Sequence, residues 1–78
     1  MGNRLYIANL DYSTSQDELR QAFGRFGALS SVSVLTGKSR GFGFVEYENE
    51  HDAQRASESL DGFDLDGRRI SVRVERQR

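Results

Sequence analysis

Three aromatic rings and a set of arginines are the groups in this sequence whose types and spacing could do chemistry. In Arg40-Gly41-Phe42-Gly43-Phe44-Val45-Glu46-Tyr47, the two-residue period of a strand puts Arg40, Phe42, Phe44 and Glu46 on one face and Gly41, Gly43, Val45 and Tyr47 on the other. If Val45 and Tyr47 face a core, two phenyl rings stand on the opposite side beside an arginine. A strand with one buried face has no packing reason to carry them there. Upstream, Arg4-Leu5-Tyr6-Ile7-Ala8 alternates in the same way, with Leu5 and Ile7 inward and Arg4, Tyr6 and Ala8 outward. Rings displayed like this offer flat ligands a stacking surface, worth about 1–3 kcal/mol per nucleobase, and a guanidinium beside them is placed for a phosphate. The competing reading is a strand buried on both sides, its rings serving as core filler. Which reading holds depends on the elements that position the rings.

Composition narrows the field. The 78 residues are read as one domain, residues 1–78, small enough to bury only about 60–65% of the surface its unfolded chain exposes. Cysteine is absent, which removes disulfides, thiolate zinc sites and a thiol nucleophile. The one histidine, His51, falls between Glu50 and Asp52 at a helix start and reads as a solvated surface group, so no metal or cofactor is expected. No apolar run approaches the roughly 20 residues of a membrane span, and Met1-Gly2 opens a myristoylation pattern that Tyr6 breaks. An intracellular soluble domain, in nucleus or cytoplasm, is the expectation. The formal charge of −1 argues against a protein that holds nucleic acid by bulk electrostatics. Yet ten of the eleven basic residues are arginine, the side chain suited to bidentate phosphate contacts and to stacking.

The remaining elements follow from periodicity and punctuation. Ser15 with Glu18 forms a capping box, and Leu19, Ala22, Phe23 and Phe26 continue as an apolar stripe that Gly27 should end. Ser31 to Leu35 alternates as a strand with Val32 and Val34 inward, and Thr36-Gly37-Lys38-Ser39 turns it back into the ring-bearing strand as a hairpin. Gly37-Lys38-Ser39 ends like a phosphate-binding loop, but the first glycine of that motif would fall at Val32 and a strand follows, so a nucleoside triphosphate site is rejected. Asn49 caps a second helix with a thin stripe of Ala53, Ala56 and Leu60, which Gly62 ends. Phe63 and Leu65 read as core plugs and Asp66-Gly67 as a turn. Arg69 to Val74 is the last strand, with Ile70, Val72 and Val74 inward and Arg69, Ser71 and Arg73 outward.

The order β-α-β-β-α-β is the split arrangement of α+β, ferredoxin-like sandwiches. Right-handed crossovers put both helices on one face of a four-stranded antiparallel sheet, with the first and third strands as central neighbours. Neither helix has a second apolar stripe to cover the rings, so Tyr6, Phe42 and Phe44 are expected on an open face. Arg4, Arg40, Arg69 and Arg73 should surround them, with Lys38 and the tail arginine Arg76 at the rim. Catalysis would need titratable groups converging in a cleft; Glu46 and Glu75 among arginines do not provide that, and no enzyme is expected.

Residues 40–47 match every position of the octapeptide K/R-G-F/Y-G/A-F-V-x-F/Y, and Leu5-Tyr6-Ile7-Ala8-Asn9-Leu10 resembles its partner hexapeptide. On these motifs, and on the two helix stripes and Gly67-Arg68-Arg69-Ile70 before the last strand, the chain resembles the RNA recognition motif family over nearly its whole length. The resemblance implies a monomeric single-stranded RNA binder, with single-stranded DNA a further candidate ligand. It also implies roles: Tyr6 and Phe42 stacking on bases, Phe44 packing against riboses, Arg40 meeting a phosphate, and residues 73–78 reading base edges. Ala8 replaces a frequent glycine, and the loop between the second and third strands is short, with Lys38 its only cation. The alternative is a protein-interaction domain on the same scaffold, binding a peptide or partner at the helices or sheet. Some relatives use an Arg-x-Phe motif for this, and here Arg68-Arg69-Ile70 lacks the Phe.

Overall fold

The computed structural model describes residues 2–36 and 41–75, apart from the side chain of Thr36. The elements run β1 (Arg4–Leu10), α1 (Gln16–Gly24), β2 (Leu29–Thr36), β3 (Gly41–Tyr47), α2 (Glu50–Leu60), β4 (Asp64–Leu65), β5 (Arg68–Arg69) and β6 (Ser71–Glu75). Four strands form a sheet of order β2-β3-β1-β6, every pairing antiparallel. β1 and β3, the two ring-bearing strands, are its centre.

Both helices begin where their caps dictate. At α1 the Glu18 N–H donates to Ser15 Oγ at 3.1 Å while the Ser15 N–H donates to Glu18 Oε1 at 2.9 Å, satisfying two otherwise orphaned donors. At α2 the His51 N–H donates to Asn49 Oδ1 at 2.8 Å. The apolar stripes close over one face of the sheet: Leu19 and Phe23 from α1, and Ala53, Ala56 and Leu60 from α2, form one core with Leu5, Ile7, Val45, Tyr47 and Val72.

Two contacts fix how closely α1 and β3 approach. A Cβ at Gly43 would lie 2.6 Å from the Ser33 carbonyl oxygen of β2 and 3.1 Å from Leu19 Cδ1 of α1, so only glycine leaves room for both neighbours there. Tyr47, with no exposed surface, donates its hydroxyl proton to the Phe23 carbonyl at 2.5 Å. Burial first, and the negative charge of Asp52 second, push its phenol well above the usual tyrosine range.

Three expectations need correction. α1 ends at Gly24 with Arg25 as its cap, before Gly27, because the chain tightens into i to i+3 bonds from Phe26 N–H to Phe23 and from Gly27 N–H to Gly24; Phe26 still packs on the core. Phe63 is no plug: it is 43% exposed, at the start of a two-stranded ribbon made by β4 and β5. The expected last strand is broken at Ile70, whose N–H and carbonyl bond to Phe63 and Gly62. Arg69 therefore belongs to the ribbon, and β6 starts at Ser71. The Asp66-Gly67 turn closes that ribbon with φ of 53° and 82°, the paired positive values of a tight hairpin.

Candidate nucleic-acid interface

Strand register arranges the uncovered face of the sheet as three rows crossing β2, β3, β1 and β6. The middle row is Ser33, Phe44, Tyr6 and Arg73; one flanking row is Leu35, Phe42, Ala8 and Ser71; the other is Ser31, Glu46, Arg4 and Glu75. Tyr6 and Phe44 are thus direct cross-strand partners, with Phe42 diagonal to Tyr6. Ring centroids lie 5.4 Å apart for Tyr6 and Phe44, 5.9 Å for Tyr6 and Phe42, and 6.4 Å for Phe42 and Phe44, the last pair edge-on at 88°. These are favourable aromatic geometries. They explain why Phe42 and Phe44 are half-buried although no helix covers them: the rings shield one another.

The cations sit differently around this cluster. Arg73 is exposed, directly opposite Tyr6, and among the described residues it has no ion-pair partner. Arg4 lies over the Phe44 ring, its guanidinium carbon 4.5 Å from the centroid, and its Nε is 3.4 Å from Glu75 Oε1. Arg69 is exposed on the ribbon and belongs to none of the three rows. Lys38, Arg40 and Arg76 lie outside the described residues.

Two features of this face escaped the sequence reading. Leu35 is 47% exposed and pairs with Phe42, extending the apolar surface onto the edge strand; the parity that sends Val32 and Val34 inward already implied it. The second is the junction between the end of β1 and the ribbon. Asn9 takes a positive φ of 66° at a β1 irregularity. Its Nδ2 donates to the Arg69 carbonyl at 2.9 Å, and its Oδ1 accepts from the Arg68 guanidinium at 2.6 Å. Thr14 Oγ1 donates to Asp66 at 2.8 Å. Ser13 donates to the Asp11 carboxylate through both hydroxyl and N–H, holding that acid below its usual range. The loop after β1 is thereby tied at several points.

A flat, aromatic, cation-edged surface can bind by stacking and by charge-assisted hydrogen bonds to phosphate. Two grooves among the described residues lie elsewhere, one between α1 and β2 at Arg20, Gly24 and Val32, another at Glu18, Ala22, Arg25, Phe63 and Leu65. Among the described residues no group of three or more His, Asp or Glu could hold a metal, and no helix is long and apolar enough to cross a membrane.

The family model described as RNA recognition motif matches residues 5–71. Polyadenylate-binding protein 2 of Arabidopsis thaliana is 49% identical over 65 residues, covering 80% of this chain and 10% of that protein. Glycine-rich RNA-binding protein 4, mitochondrial, also of Arabidopsis thaliana, is 38% identical over 82 residues, covering 100% of this chain and 60% of its own length. Both relatives are longer than the stretch they share with this chain. Among solved structures, that of RNA binding protein PG1 superposes with a TM-score of 0.86 at 37% identity, covering 96% of this chain and 95% of the other.

Proposed function

Because the chain belongs to the RNA recognition motif family, we propose that it binds single-stranded RNA across the open face of its sheet. Bases stack on Tyr6 and Phe42, Phe44 packs against the intervening riboses, and arginine contacts the phosphates. The observation that carries this reading is the contiguous cluster of Tyr6, Phe42 and Phe44, with centroids 5.4–6.4 Å apart on the face opposite both helices. Arg73 is the described cation best placed for phosphate; Arg40, Lys38 and Arg76 are proposed to join it. Two stacks at roughly 1–3 kcal/mol each, with a few phosphate contacts and less the cost of ordering the strand, give an affinity of order micromolar. The action requires no catalytic group, and a monomer suffices for it, in whichever of nucleus or cytoplasm the RNA is met.

Titration with a short mixed-sequence RNA, followed by NMR, tests the reading. Shifts should concentrate on Tyr6, Phe42, Phe44 and Arg73, and the log–log salt dependence should have a slope near −2, as about three neutralised phosphates produce on a single strand. A slope steeper than about −5 would contradict a stacking-led mode. Shifts confined to α1, Phe63 and Leu65 would instead favour a peptide partner in the groove beside the ribbon. Single-stranded DNA as competitor reports how far the 2′-hydroxyl matters.

A further inference from the structure

The row Glu46, Arg4, Glu75 is a cation between two carboxylates on adjacent strands, and its charges are already engaged. Arg4 holds its Nε 3.4 Å from Glu75 Oε1 and its guanidinium carbon over the Phe44 ring, 4.5 Å from the centroid. We propose that Glu75 is a positioning residue that latches Arg4 across Phe44, so that RNA engages this end of the sheet only by exchanging the Glu75 carboxylate for a phosphate. This rests on the reading of the open face as an RNA platform and adds a built-in competitor to it.

The contact is suited to exchange. The Arg4 and Glu75 side chains are 36% and 43% exposed, and ion pairs that accessible hold little free energy. Glu75 Oε1 is shielded from water and accepts no hydrogen bond among the described residues, so Arg4 compensates its charge without good hydrogen-bond geometry. A phosphate, by contrast, can accept two parallel N–H bonds from one guanidinium. The latch has a signature that a purely structural pair lacks. In the wild type the Glu75 carboxylate competes with the phosphate for Arg4, so that contact forms in only a fraction of the complexes and little of the counterion release it brings is seen. With Glu75 neutral, that release becomes visible.

Affinity for a short mixed-sequence RNA is to be measured against salt for the wild type, Glu75→Gln, Arg4→Gln, the double variant, and Glu58→Gln. The last removes the same charge from exposed α2 on the opposite side of the sheet, and thermal unfolding checks each fold. Glu75→Gln should bind about 3- to 10-fold tighter at low salt with a slope steeper by about 0.7, one further phosphate on a single strand. In the Arg4→Gln background the same change should do no more than Glu58→Gln does alone. The latch is overturned if Glu75→Gln behaves as Glu58→Gln, if it weakens binding, as a carboxylate that itself reads a base would, or if its effect persists without Arg4. A wild type that binds no RNA, or binds it independently of Phe42 and Phe44, sinks the platform reading and the latch with it; normal wild-type binding with an unchanged slope in Glu75→Gln sinks only the latch.

Discussion

Along β3, consecutive residues live in different surroundings. Gly43, Val45 and Tyr47 face the helices and are buried, while Phe42, Phe44 and Glu46 face away and are half-covered. Aromatic rings occur on both sides, yet they meet different partners. Tyr47 is enclosed, with its hydroxyl bonded to the end of α1, whereas Phe42 and Phe44 touch chiefly each other, Tyr6 and Arg4. Residue type therefore says little here about duty. The face decides whether a ring stabilises the fold or remains available to a ligand.

The sharpest way to break that contrast is to truncate one ring from each side. Phe23→Ala empties the centre of the covered face and should cost roughly 3–5 kcal/mol, enough to unfold much of so small a domain in a urea titration. A loss below about 1 kcal/mol would mean the helix layer is not the core. On the other face, Phe42→Ala with Phe44→Ala removes one base stack together with a ribose contact and should weaken RNA binding by at least about 1–3 kcal/mol, roughly fivefold or more in Kd. Half-buried as they are, the rings should surrender only about 1–2 kcal/mol of stability. Collapse of the fold would assign them to the core instead.

Tyr47→Phe is a finer probe. It removes one hydrogen bond and should cost about 1 kcal/mol at neutral pH. Because the folded state holds this phenol above the usual range, only the unfolded chain loses the proton as pH passes about 10. Its contribution is thus complete below that point and falls by up to about 1.4 kcal/mol per unit above it. Alkaline unfolding of the phenylalanine variant should be correspondingly less steep, and an unchanged profile would place the ionisation elsewhere.

Much of this contrast is legible before any coordinates. Parity within residues 40–47 separates the two faces, the capping residues Ser15 and Asn49 place both helix starts, and element order sets β1 beside β3. What could not be read depends on partners distant in sequence. Gly27 looked like the helix stop because local signals do not reveal that the backbone tightens after Phe23. Arg69 looked like a sheet residue because the alternation continues unbroken through Ile70; only the Ile70 backbone bonds to Gly62 and Phe63 divert the chain into the ribbon. The contact of Arg4 with Glu75 requires the register of strands from opposite ends of the chain. Leu35 is legible by the same parity that displays Phe42, since Val32 and Val34 point inward.

The rings ride on β1 and β3, which have hydrogen-bonded neighbours on both sides, while β2 and β6 form the rims. Breathing of a sheet starts at its rims, so the backbone beneath Tyr6, Phe42 and Phe44 should be the last to surrender its amide hydrogens to solvent. On the proposed reading, RNA on those rings would lie over the two strands that are paired on both sides, leaving adaptation to different sequences to the periphery.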